Sequence, residues 1–173
     1  METRLKPSSA VKRLLLASPV GPLLVEHDGQ AVRAIHYWPQ GAHPPAGTRV
    51  EPTRDDALGW RVAEQLREYF AGKRRDFDLP LAVEGTEFQR RVWDALRTIP
   101  FGETRTYGDV AGQIECSAAR AIGQANRRNP IPIVIPCHRV LASNGIGGYA
   151  GQAGAGEHVD TKRWLLRHEG VAV

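Results

Sequence analysis

The sequence predicts an α/β N-terminal domain on a three-stranded antiparallel sheet, followed by a mainly helical C-terminal domain that includes a helix-turn-helix. Three observations carry this. Short leucine-rich and β-branched runs separated by turn residues fill positions 14–38. Apolar residues recur at helical spacing over 58–70 and again over 88–96. Two short helical stretches between 107 and 126 meet at a three-residue connector.

The predicted strands are residues 14–17, 23–27 and 32–38. Ser18-Pro19-Val20-Gly21 separates the first two, and Asp28-Gly29, a hairpin signal, separates the second and third. Residues 39–52 carry several Pro and Gly and read as a loop. Asp55-Asp56 caps a helix whose apolar residues are Leu58, Val62, Leu66, Tyr69 and Phe70, and Gly72 stops it. Residues 73–78 form a charged connector. The division is an N-terminal domain over 1–80, a linker over 81–85 and a C-terminal domain over 86–173.

In the second half, Thr86 opens a helix through Phe88, Val92, Trp93 and Leu96, with Glu87 in its first turn, and Ile99-Pro100-Phe101-Gly102 ends it. Thr106 caps a helix over 107–114. Glu115-Cys116-Ser117 is a tight connector, Ser117 a cap, and 117–126 a short alanine-rich helix. Together these make the helix-turn-helix candidate. A glycine-rich loop follows from Gly145 to Gly156, then a helix over 162–168 ended by Gly170.

Composition narrows the class. With 173 residues and 42% apolar content, the chain has enough material for one domain or two small ones. A net charge of +4 is compatible with a polyanionic partner without proving one. Two cysteines, Cys116 and Cys137, make neither a disulfide framework nor a four-ligand zinc site, so a reducing, cytoplasmic setting is expected. Lys12-Arg13-Leu14-Leu15-Leu16 looks faintly like a secretion signal. Pro19, Gly21 and Pro22 interrupt it, and no signal or membrane span is predicted.

The chemistry concentrates in Ile133-Val134-Ile135-Pro136-Cys137-His138-Arg139-Val140. The apolar run reads as a buried strand that Pro136 ends, which holds Cys137 at the tip of a rigid element. A thiol needs such a position and a nearby base to act as a nucleophile. Taken alone, Cys137 reads as a small buried hydrophobe and His138 as a satisfied histidine.

The surrounding segments change that balance. Phe88-Gln89 through Trp93, Ile99-Pro100-Phe101-Gly102-Glu103-Thr104, Tyr107-Gly108, Ala119-Arg120-Ala121, Asn129-Pro130, the Pro-Cys-His-Arg-Val run, Gly148-Tyr149-Ala150-Gly151 and Trp164 to Gly170 follow in order. With Ser18-Pro19-Val20-Gly21-Pro22-Leu23 and Glu68-Tyr69-Phe70-Ala71-Gly72, they closely resemble the O6-alkylguanine-DNA alkyltransferase family. The resemblance implies a ribonuclease-H-like N-terminal domain and a C-terminal domain holding the helix-turn-helix and the cysteine. It implies single-turnover DNA repair on double-stranded DNA containing O6-alkylguanine, with O4-alkylthymine left open. Minor-groove binding and base flipping are part of that expectation.

The family's roles carry over residue by residue, as what the resemblance implies. Cys137 is the alkyl acceptor. His138 takes its proton through a water, and Glu169 orients the imidazole. Tyr107 donates toward the base at N3. Arg120 is the finger that enters the stack where the flipped base leaves it, with Ala119, Ala121 and Gly123 letting the helix lie close in the minor groove. Arg127 and Arg128 are expected phosphate contacts. Asn129 bridges the recognition helix to the active-site segment. The carbonyls of Cys137 and Val140 take the guanine amino group, and Gly148, Tyr149 and Ala150 belong to the loop over the base. No metal or cofactor is expected. The protein is expected to be a monomer, with cooperative binding along DNA left open.

The chain departs from the family in places. The loop before Trp164 is longer than expected, around residues 152–160. Ala150 lacks the hydroxyl some relatives offer, and the N-terminal half has no cysteine for the zinc site of others. His27, His36 and His43 read as surface or loop residues, and Cys116 as a packing residue. Three rivals remain to be weighed. Non-catalytic alkyl-base-binding relatives lack the cysteine that this chain has. A cysteine hydrolase would need an oxyanion motif, and none is visible. A transcription regulator would need side chains that read base edges, which the alanine-rich helix hardly has.

Overall fold

The computed structural model describes residues 10–147 and 157–173, apart from the side chains of Glu157 and His158. Strands β1 (Lys12–Leu16), β2 (Leu23–His27) and β3 (Val32–Tyr37) form an antiparallel sheet in that order. The register sets Leu14 beside Val25 and Val25 beside Ile35, so that one row of apolar side chains faces the core. A ladder irregularity falls at Glu26/His27, next to the Asp28-Gly29 turn.

Helix α1 (Ala57–Phe70) starts where the Asp56 carboxylate accepts the Gly59 N–H at 3.0 Å. Its Leu58, Val62, Leu66 and Tyr69 join Leu14, Leu23, Val25 and Ile35 in a core that continues without a break into the second half. The edge of β3 does not stay open. Val32 N–H donates to Pro80 O, Val32 O accepts from Ala82 N–H, and Ile35 N–H donates to Pro130 O. The last of these bonds ties the sheet to the segment that leads to Cys137.

Helix α2 (Glu87–Arg97) carries a full capping box between Thr86 and Gln89. Strand β4 (Arg105–Thr106) leads into α3 (Tyr107–Gln113), and α4 (Ala119–Arg127) completes the helix-turn-helix. Trp93 anchors this pair by donating its indole N–H to Ala125 O at 2.9 Å. Strand β5 (Val140–Leu141) pairs in parallel with β4, and α5 (Glu157–His168) closes the described chain.

Four expectations are corrected. The run Ile133-Val134-Ile135 buries both isoleucines and part of Val134 but is not a strand. It is a tight turn with Ile133 at φ 73°, closed by Ile135 N–H donating to Ile131 O. Burial and β-branching report where side chains go, not which way the backbone turns. Ser117 is not the cap of α4: Ala118 holds that position, with no side-chain hydrogen bond. The last helix begins at Glu157, five residues before the expected start. His27 is fully buried, its Nε2 3.1 Å from an Asp56 carboxylate oxygen, whereas His36 and His43 are exposed as expected. The hairpin signal beside His27 suggests surface, and the Asp56 partner comes from the far side of the loop.

Candidate active site

The cysteine is presented by a turn whose geometry Asn129 sets. Its side-chain amide donates to Ile135 O at 2.7 Å, and its side-chain oxygen accepts the Ile131 N–H at 3.0 Å. Both bonds stand in for a missing strand partner. Pro136 then leads into one 3-10 turn, Cys137–Arg139, and the Val140 N–H closes on Cys137 O. The parallel register sets Arg105 beside Val140 and Thr106 beside Leu141. That pairing brings the start of α3, and with it Tyr107, next to the cysteine turn.

Behind the cysteine lies a buried charged network. His138 is fully buried, and its Nε2 is 2.7 Å from Glu169 Oε1. Arg139 grips the same carboxylate as a fork, Nε to Oε2 at 2.9 Å and Nη2 to Oε1 at 2.9 Å, while its Nη1 donates to Ile99 O at 2.6 Å. Tyr69 Oη donates to Oε1 at 2.8 Å, and the Gly102 N–H reaches Oε2 at 3.3 Å. Burial pushes the Glu169 carboxyl up. The hydrogen bonds and charges of His138 and Arg139 outweigh that and hold it well below the usual range. Because Glu169 is ionised it accepts, so His138 Nε2 donates. Nδ1 is left with its lone pair, and it has no hydrogen-bond partner among the described residues. Burial holds the imidazole pKa down despite the Glu169 carboxylate, which favours the neutral ring. A neutral histidine with an open Nδ1 and an anchored Nε2 is a base waiting for a proton.

Lys162 is a functional candidate that pattern reading misses. Its side chain is fully buried, and Nζ donates to Val140 O at 2.7 Å. Burial lowers its pKa to about 8, while the charge of Cys137 works in the other direction. Arg139, Asn126 and Tyr69 also escape the pattern. The Asn126 amide donates to Cys137 O at 3.3 Å, and its side chain contacts the Tyr107 hydroxyl. Cys137 O therefore accepts from both the Val140 N–H and the Asn126 amide, and Val140 O accepts from Lys162. Only the helical spacing of Lys162 with Leu165 and Leu166 hints that this lysine faces inward.

On the α3–α4 side lies a cleft of about 680 Å³, lined among others by Tyr107, Ala119, Arg120, Gly123 and Arg127. Cys137 is only 4% exposed and does not line the cleft. Tyr107 connects the two: it lines the cleft and lies within electrostatic reach of Cys137. Burial, then the Cys137 charge, raises its pKa, so the phenol stays protonated and able to donate. Arg120 is exposed on α4, and Arg128 caps the end of that helix. Ala121 is half-buried and is not part of the lining. Gly148, Tyr149 and Ala150 lie outside the described residues, as does most of the long loop.

Fold and site together define a class: a two-part protein with a helix-turn-helix beside a buried cysteine that a His–Glu pair backs. No helix among the described residues is long and apolar enough to cross a membrane. Residues 87–171 match the family described as 6-O-methylguanine DNA methyltransferase, DNA binding domain, and residues 11–83 match its ribonuclease-like domain. The methylated-DNA–protein-cysteine methyltransferase of Methanosarcina acetivorans is 42% identical over 162 residues, 90% of this chain and 96% of that protein. The protein of the same name from Shigella flexneri is 44% identical over 174 residues, 90% of this chain and 93% of its own. The crystal structure of Mycobacterium tuberculosis OGT in complex with DNA superposes with a TM-score of 0.74 at 39% identity, covering 92% of each chain. The chain belongs to the methylated-DNA–protein-cysteine methyltransferase family.

Proposed function

We propose that this protein repairs DNA by moving an alkyl group from guanine O6 in duplex DNA onto Sγ of Cys137, once per molecule, with O4-alkylthymine as an open second substrate. The observation that carries the reading is the buried His138–Glu169 pair next to Cys137, with His138 Nδ1 open and Nε2 anchored, while Tyr107 links the cysteine to the helix-turn-helix cleft.

Alkyl transfer needs a thiolate, a good leaving group and a base out of the stack. An unperturbed thiol, with a pKa near ~8.5, is mostly protonated at neutral pH. His138 takes the Cys137 proton, relayed by a water in the family's manner, and Glu169 stabilises the resulting imidazolium. The thiolate attacks the alkyl carbon in line. The S–C bond forms as the C–O6 bond breaks, and the electron pair passes to the guanine. Tyr107, held protonated, donates toward N3 and makes the purine a better leaving group. The thioether that remains is a stable bond that water does not reopen, which makes the reaction stoichiometric.

The cleft supplies the route. Arg120 occupies the gap left by the flipped base and offsets part of the unstacking cost of a few kcal/mol. Ala119 and Gly123 let α4 approach the backbone, and Arg127 and Arg128 contact phosphates. Asn129 keeps the turn, and the carbonyls of Cys137 and Val140 take the guanine amino group by exchanging a present donor for it. Gly148, Tyr149 and Ala150 serve as the loop over the base. The roles divide between an N-terminal domain, a linker over 81–85 and a C-terminal domain. A cytoplasmic setting keeps the thiol reduced.

The test is peptide mass spectrometry after incubation with duplex DNA carrying one O6-methylguanine. One methyl on the Cys137 peptide, never more than one per molecule, is the expected result. Lesion binding without methyl transfer would reject the transferase reading in favour of recognition alone.

A further inference from the structure

Tyr69 sits at the end of α1, in the N-terminal half, and is fully buried. Phe70, Phe77, Phe101 and His168 surround its ring at centroid distances of 5.2 to 6.1 Å. A buried phenol needs one acceptor, and many carbonyls could serve. Here the acceptor is Glu169 Oε1, at 2.8 Å and 100 residues away, the same oxygen that His138 Nε2 contacts at 2.7 Å. The backbone of Tyr69 is held as well, since its carbonyl lies 2.7 Å from His168 Nε2, one residue before Glu169.

We propose that Tyr69 is a positioning residue for alkyl transfer, through which the N-terminal domain fixes Glu169 and tempers the pull of its carboxylate on the His138 proton. The inference rests on the functional reading above. Oε1 receives three donors, Tyr69 Oη, His138 Nε2 and Arg139 Nη2. Each donor draws charge off that oxygen and so weakens its hold on the imidazole N–H. The other groups facing the network are Arg139 Nε and the Gly102 N–H on Oε2, Lys162 near His138, and Tyr37 and His168 near Tyr69. Among the described residues that donate to the carboxylate, Tyr69 is the neutral side chain from the other half of the chain. Burial raises its pKa, so it remains a donor throughout the working range.

Tyr69→Phe keeps the ring and deletes the hydroxyl. A less neutralised Oε1 stabilises the imidazolium charge more, so Nδ1 stays protonated, and unable to accept the thiol proton, to higher pH. The experiment measures single-turnover methyl transfer from O6-methylguanine duplex between about pH 5 and 9, at a temperature where every variant is folded. The acid limb should move up by roughly half to one pH unit, with a threefold to tenfold slower rate below it.

Phe70→Leu is the control, because Phe70 packs on Tyr69, Trp164 and His168 in the same seam but has no group that can hydrogen-bond Glu169. It should lower stability and leave the limb where it is. In a Glu169→Gln background, adding Tyr69→Phe should move the limb no further, because the carboxylate it acts through is gone. An unchanged limb in Tyr69→Phe with an active wild type would overturn this inference alone. So would equal shifts in Tyr69→Phe and Phe70→Leu. A wild type that transfers no methyl would overturn the functional reading and this inference with it.

Discussion

Replacing Arg139 with methionine tests whether the carboxylate behind the cysteine is held by charge. Both side chains are out of water: Arg139 is 7% exposed and Glu169 0%. The guanidinium makes two bonds of 2.9 Å to Glu169 and one of 2.6 Å to Ile99 O. Methionine fills the volume but leaves a buried carboxylate with only Tyr69, His138 and the Gly102 N–H. Breaking a buried pair in this way costs about 3–5 kcal/mol. For a chain of this size that lowers the melting temperature by roughly 8–15 °C.

The pH dependence gives the argument its sign. In the wild type the folded pKa of Glu169 is depressed, so its contribution is present above the unfolded value of about 4.3 and is lost as pH falls through the folded one. Without Arg139, burial dominates and raises the folded pKa. The carboxylate then penalises folding at neutral pH, and the penalty is relieved as pH falls. The stability gap between wild type and variant should therefore narrow from pH 7 toward pH 4. Arg139→Met/Glu169→Gln should recover about half the loss at pH 7, since no buried charge is left unpaired. The assay is denaturant unfolding at a series of pH values. A gap under about 1 kcal/mol, or one that does not change with pH, would refute the reasoning.

Other substitutions probe separate links. Arg120→Ala should slow methyl transfer by an order of magnitude or more while changing DNA affinity only modestly, read by single-turnover kinetics beside a binding titration; an unchanged transfer rate would remove the finger role. Lys162 has a folded pKa of about 8 against about 10.4 unfolded, so unfolding takes up a proton between these values and wild-type stability rises with pH there. Lys162→Met should lack this rise, which is on the order of 3 kcal/mol in total, when denaturation midpoints are compared at pH 7.5 and pH 10. Thr86→Ala removes the hydroxyl half of the α2 capping box, leaving the backbone N–H at position 86 to donate to Gln89 Oε1, and should cost about 1 kcal/mol by the same measurement, with transfer rate unchanged.

Much of this protein is legible in the chain. The strand over 23–27, the α1 stop at Gly72 and the caps at Thr86 and Thr106 follow from hydrophobic period and turn chemistry, which act over a few residues. The Pro-Cys-His-Arg-Val run and its companion segments mark the family and single out Cys137, His138 and Tyr107. Glu169 is different. A carboxylate after a helix looks solvated, and only the resemblance points to it.

What tertiary structure decides is the choice of partner. Hydrophobic pattern does not say that Ile133 turns to φ 73° instead of extending, because that depends on the Asn129 side chain capturing Ile131 and Ile135. Nothing near His27 says that Asp56 will bury it. Tyr69, Arg139 and His138 converge on one carboxylate from elements up to 100 residues apart, and Lys162 crosses from α5 to Val140 O. Propensity and periodicity are properties of a window of sequence. A hydrogen bond between buried groups exists only where the packed fold brings donor and acceptor within about 3 Å.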